Sequence, residues 1–153
     1  MKIKAYFSSG RLVKIALDGQ EITNIKYHQM YDANYWRFQH GGSTYRLSLG
    51  RLLLVDHEIY IPANIDGSEH SRDGKWSETI TYRKVGEIIE FPEVWRMIRD
   101  DRLGDLVEYG VKVIINGKEI FDDLGRPWRE RYARVFKVVA QEITGNKSSI
   151  IIA

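Results

Sequence analysis

The chain has 153 residues, 23 Lys+Arg against 21 Asp+Glu, and a formal net charge of +2. With 43% hydrophobic and 29% charged residues it falls outside the disordered, collagen-like and membrane-spanning classes. Cysteine is absent, which excludes disulfides, thiolate zinc sites and cysteine nucleophiles.

Residues 1–153 read as one α+β domain of ordinary size, 1–91 mainly strands and 92–153 a helix, a hairpin, a helix and a short strand. Ile3, Ala5 and Phe7 alternate with Lys2, Lys4 and Tyr6, the period of a half-buried strand. Leu12 to Leu17 repeats the pattern after a break at Ser8-Ser9-Gly10, and Asp18-Gly19 signals a tight hairpin turn. Glu21 to His28 reads as a single third strand. Tyr35 to His40 and Ser43 to Leu49 flank Gly41-Gly42 and form a second hairpin rich in aromatic and β-branched residues.

Leu52 to Ile61 is apolar at both ends and reads as one long strand or, in preference, a tight hairpin turning at Asp56-His57-Glu58. Ala63 to Ser77 has no periodicity and reads as a long loop, the kind of segment that often carries function. Glu78 to Phe91 returns to strand, with a bend expected at Gly86.

The period changes at Pro92, a residue suited to the first helical position. Val94, Trp95 and Ile98 share a helical face, which Asp100-Asp101-Arg102 and Gly104 interrupt, so one kinked helix or two short ones are expected. Val111 to Phe121 is a hairpin turned at Asn116-Gly117. From Pro127 onward, Trp128, Tyr132, Val135, Val139 and Ile143 span an arc of about 80° on a helical wheel. The expected architecture is therefore an antiparallel β meander or open barrel of about seven to nine short strands, followed by a helix, a hairpin and a C-terminal amphipathic helix. Ser148 to Ala153 would add a short edge strand.

The near-neutral charge is a cancellation. Residues 1–50 carry a net +4, residues 51–101 a net −4 and residues 102–153 a net +2. Segregated charge bears on partners and steering rather than on fold. Arg126, Arg129, Arg131, Arg134 and Lys137 lie along the last helix, where guanidinium groups can fork onto successive phosphates of a nucleic acid. A solvated outer helix face has the same composition. Aromatic residues beside arginine, among them Tyr45-Arg46, could stack and neutralise a single strand. Period 2 also produces that pattern when aromatics face a core. Trp76 stands in the long polar loop without apolar companions, as either an exposed stacking residue or a ring that pins the loop to the body would.

The acidic middle supports a different chemistry. Asp56 and Glu58, with Asp66, Glu69, His70 and Asp73 of the loop, are ligand types for Mg or Mn. If turn and loop met at one end of the sheet, Asp56, Glu58 and Asp73 would serve a metal-dependent nuclease or phosphodiesterase. No spacing matches a recognised ligand motif, and solvated acids are the simpler reading. No phosphate-binding loop, dinucleotide fingerprint, zinc-protease motif or nucleophile elbow is present. His28 and His57 read as structural histidines.

The leading expectation is a small nucleic-acid-binding protein. The metal-dependent hydrolase comes second, and a protein-interaction or inhibitor module third. No run approaches 18 apolar residues, and the polar start lacks a signal-peptide core, so a cytoplasmic protein without membrane contact is expected.

Overall fold

The computed structural model describes residues 1–29, 34–67, 73–90, 110–123 and 131–144. Its strands are β1 (Lys2–Ser8), β2 (Arg11–Leu17), β3 (Gln20–Ile22), β4 (Lys26–His28), β5 (Tyr35–His40) and β6 (Ser43–Ser48). They continue with β7 (Leu53–Val55), β8 (Glu58–Asp66), β9 (Lys75–Ile88), β10 (Gly110–Ile115) and β11 (Lys118–Asp123), and α1 (Arg131–Thr144) follows. The helix expected from Pro92 and the strand expected from Ser148 lie outside the described residues. Among the described residues, no helix is long and apolar enough to cross a membrane.

All strand pairs are antiparallel, in the order β3-β2-β1-β9-β8-β7-β6-β5-β4. The two end strands, β3 and β4, are neighbours in sequence. The expected single strand from Glu21 to His28 is thus two strands on opposite edges, broken where Ile25 N–H donates to the Thr23 carbonyl at 3.0 Å. Ile22 and Lys26 are four residues apart and can be separated by at most about 14 Å. The nine-stranded sheet must therefore curl on itself. It forms an open barrel whose edges are joined by the chain and not by a hydrogen-bonded ladder.

Three bulges shape the curl. Tyr6 pairs with Lys14 but Phe7 with Leu12, leaving Val13 as an extra residue in β2. Ala63 is extra in β8 and Val85 in β9. Each bulge reverses which alternate residues face inward. Before the Val85 bulge, Ile80 and Tyr82 join the barrel-side core; beyond it, even-numbered Ile88 joins the other. Ala63, beside Pro62, is where a proline without an N–H is tolerated within a strand. The region read as a long loop is correspondingly shorter, because β8 extends to Asp66 and β9 begins at Lys75.

The central strands are buried on both faces. Leu53 and Val55 face the barrel interior with Ile3, Phe7, Ile15, Trp36 and Phe38. Leu52 and Leu54 face the other way, against Val111, Val113, Val135, Phe136 and Val139. Two-sided burial explains why residues 52–55 form an unbroken apolar run. Each such side chain contributes about 1.5–3 kcal/mol through burial.

β9 is the branch point. Lys75 to Thr81 pairs with β1, and where β1 ends Gly86 to Ile88 pairs with β10. The β10–β11 pair turns at Asn116-Gly117, both at positive φ (50° and 79°), and supports α1. A Cβ added at Gly86 would lie 1.7 Å from the Ile114 carbonyl oxygen. Gly86→Ala is therefore expected to part β9 from β10 and to cost about 3 kcal/mol in urea unfolding. Gly42→Ala, where a Cβ meets nothing within 4 Å but φ is +81°, should cost only about 1 kcal/mol.

Candidate nucleic-acid interface

The short edge strand β4 alternates its side chains across the sheet. Tyr27 pairs with Trp36, a barrel-side residue, so Lys26 and His28 belong to the opposite, helix-side face. Lys26 pairs with Arg37, and Arg37 in turn with Arg46 of β6. Three cations thus stand at consecutive cross-strand positions, about 4.5–5.5 Å apart at Cα. Like charges directly opposite one another are destabilising, so this row is a cost to the fold.

Aromatic rings frame the row. His28 stacks on Tyr35 with ring centroids 5.0 Å apart, and Tyr35 tilts against Phe136 of α1 at 5.6 Å. The Arg46 guanidinium lies 3.6 Å above the ring of Tyr132, in the first turn of α1. Stacking of this kind retains a guanidinium in a partly desolvated place without a carboxylate. Lys14, Arg51, Lys84, Lys112, Lys118 and Arg134 each pair with an acid. Lys26, Arg37 and Arg46 have no such pairing among the described residues.

The electrostatic consequence is visible at His28. Desolvation, followed by the charges of Arg37, Arg46 and Lys26, holds its imidazole below the usual histidine range. His28 Nε2 and Arg46 Nε are both buried without a hydrogen-bond partner. Burial raises the Tyr35 phenol against the pull of Arg46. Arg46 hydrogen-bonds the Tyr35 side chain, yet among the described residues none of the three cations has a carboxylate within salt-bridge distance.

The residues expected from sequence fare unevenly. Arg126 and Arg129 lie outside the described residues. Arg131, Arg134 and Lys137 are half-buried on α1, and Arg134 Nε bonds to the Asp122 carboxylate of β11. Arg134 thus ties the helix to the hairpin. Arg46 belongs to the row just described. Tyr45 does not accompany it: adjacent strand residues face opposite ways, and Tyr45 is buried against Phe38 at 5.1 Å. Trp76 corrects the expectation of an exposed loop aromatic. It opens β9 and stacks on Phe7 at 5.0 Å, with Nε1–H donating to Glu78 at 3.3 Å.

Glu78 is also held by Arg51 through two hydrogen bonds, of 2.7 and 2.9 Å, with both side chains under a fifth exposed. Arg51 covers the Phe7 ring at 4.5 Å, while the nearby Tyr82 hydroxyl is fully buried and its pKa is raised by desolvation. This group locks the base of the barrel.

The acids do not gather. Glu58 opens β8 and Asp66 closes it, so along one strand they stand about 26 Å apart. Asp56 accepts from Thr44 N–H at 3.0 Å, and that bond, ahead of one from Ser43, holds its carboxyl below the usual range. Glu58 is depressed chiefly by Lys84, 2.9 Å away, and accepts from the Tyr60 hydroxyl. Asp73 lies 3.4 Å from Lys75, while Glu69 and His70 fall outside the described residues. Among the described residues no three His, Asp or Glu side chains form a metal-holding group, so the expected meeting of turn and loop around Mg or Mn is not found there.

Sequence reasoning passed over Lys26, read His28 as structural, and met Arg37 only as an arginine beside Tyr35-Trp36, without joining the three. Their signal is period 2 around Tyr27 and from Tyr35 to Arg37, which carries meaning only once β4 is paired with β5. No protein-family model matches the chain, and no curated protein or solved structure does so either.

Two outcomes follow from this geometry. Because the folded state holds His28 below its ordinary value of 6.5, the unfolded chain takes up its proton first. Stability should therefore fall as pH drops below 6.5 and level off beneath the folded pKa, a decline that His28→Gln removes. Glu78→Ala leaves the partly buried Arg51 guanidinium with only the Leu49 carbonyl to accept from it and should cost about 1–3 kcal/mol in denaturant, whereas Arg51→Met/Glu78→Leu together should recover most of it.

Proposed function

We propose that this protein binds nucleic acid through the helix-side face of β4–β6, with Lys26, Arg37 and Arg46 contacting phosphates. The observation that carries this reading is the row itself: three cations in register with no acid partner among the described residues, and buried unpartnered nitrogens on Arg46 and His28. A phosphate oxygen would supply both a negative charge and acceptors there. Guanidinium groups suit this role because their forked donors match a phosphate in two directions.

The Arg46–Tyr132 contact joins the row to the N-terminal end of α1, where Arg131 is the neighbouring residue. The basic side of the helix then extends the same surface. Among the described residues of the middle third, Glu58, Asp73 and Glu78 are engaged by Lys84, Lys75 and Arg51. None of these pairs draws on Lys26, Arg37 or Arg46.

The test is binding of single- and double-stranded oligonucleotides across a salt series. Each phosphate contact contributes a slope of about −0.7 for single strands and −0.9 for duplex. Lys26→Ala/Arg37→Ala should flatten the single-strand slope by about 1.4 and weaken binding at every sequence alike. Unchanged affinity and slope in that double variant, or no binding at low salt, would remove the reading.

A further inference from the structure

The second feature of β4 lies on its other face. Where the barrel edges fail to pair, a groove of about 410 Å³ opens between β2, the Thr23–Ile25 link, β4 and β5. Arg11, Leu12, Ile25, Tyr27, Trp36 and Leu49 line it. Its volume is that of a small-ligand site. Tyr27 is 50% exposed and Leu49 43%, whereas Trp36 forms a buried floor at 5%. The Tyr27 and Trp36 rings pack on each other, centroids 5.6 Å apart at 45°, with Tyr27 the exposed member.

Resting on the reading above, we propose that this seam receives an unpaired nucleobase of the bound strand. Three observations select that occupant. The lining combines two aromatic rings with aliphatic walls from Leu12, Ile25 and Leu49, which suits a flat group rather than a peptide helix. Its charged member is Arg11, and no acid lines the groove among the described residues, so a neighbouring phosphate is welcome. Groove and cation row are separated only by β4, the last strand of the sheet. A strand passing round that edge sets phosphates against Lys26 and Arg37 on one face and a base against Tyr27 on the other.

The groove thereby makes the interface selective for single strands, since a base held in a duplex cannot leave its stack without cost. It also gives the exposed ring of Tyr27 a role that packing does not. Base–aromatic stacking tolerates any base, so the expected preference is for unpaired strands and not for a sequence.

The experiment compares a single-stranded oligonucleotide with one of equal length carrying abasic sites, on wild type, Tyr27→Ala and Tyr27→Phe, over a salt series. Wild type and Tyr27→Phe should bind the base-bearing strand about tenfold more tightly than the abasic one. Tyr27→Ala should lose that preference with its salt slope unchanged, because no phosphate contact is removed. Equal affinity of wild type for both strands, or a preference that survives Tyr27→Ala, overturns the base site. Should neither strand bind, the phosphate reading fails separately. Adenosine monophosphate then decides the groove: shifted Tyr27 and Trp36 ring resonances sustain it, and unshifted ones overturn it.

Discussion

The covalent link Thr23–Ile25 is the constraint on which the rest of the structure depends. Three residues join the first edge of a nine-stranded sheet to the last, and so short a tether leaves the sheet no option but to curl. Curling brings Phe7 of β1 against Trp36 of β5, at 5.8 Å, and continues through Phe7 to Trp76. The aromatic line Tyr27–Trp36–Phe7–Trp76 is thus the interior seam of the barrel, capped by Arg51 and its partner Glu78. Because the tether closes the barrel without a ladder, a gap remains beside it. The groove is what a covalent closure leaves open and a hydrogen-bonded closure would have filled.

A curled sheet has an outer face, and here half of that face is covered as well. The Val85 bulge turns the end of β9 outward, where β1 has ended and β10 takes its place on the same edge. The β10–β11 pair then carries α1 across Leu52, Leu54, Ile59 and Ile61. Ion pairs from Arg134 to Asp122 and from Lys118 to Glu142 hold helix to hairpin. The helix contacts β5 through Tyr35 and Phe136, and Arg46 stacks on Tyr132 of its first turn, with Arg37 and Lys26 on the strands beyond.

That region is where the structure is least economical. Lys26, Arg37 and Arg46 oppose one another in register, His28 is desolvated among them, and two nitrogens are buried without acceptors. Elsewhere among the described residues Lys14, Arg51, Lys84, Lys112, Lys118 and Arg134 each have an acid within salt-bridge distance. Of the three buried polar atoms without a hydrogen-bond partner among the described residues, two lie here and the third is the Tyr82 hydroxyl at the base of the barrel; departures of this sort are expected at functional sites. The edge strand β4 serves both faces at once, since its alternation sends Tyr27 to the groove and its neighbours to the row.

How much of this was legible beforehand follows from the range of the forces involved. Period-2 alternation, Asp-Gly, Gly-Gly and Asn-Gly turns and the helical spacing from Tyr132 to Ile143 are local, and they specify the strands, the hairpins and α1 from the chain alone. Glu21 to His28 misled because alternation continues across Thr23–Ile25, and nothing local shows that the two halves lie on opposite edges. Trp76 looked exposed because its partner Phe7 is 69 residues away. Tyr45-Arg46 looked like one feature because adjacency in sequence is opposition in a strand. The cation row depends on the register of three strands, and the groove on a closure that only long-range curling produces. Composition and periodicity determined the elements of this protein; which charges and rings those elements bring together was decided by tertiary structure, because burial and register are properties of pairs of segments and not of any one.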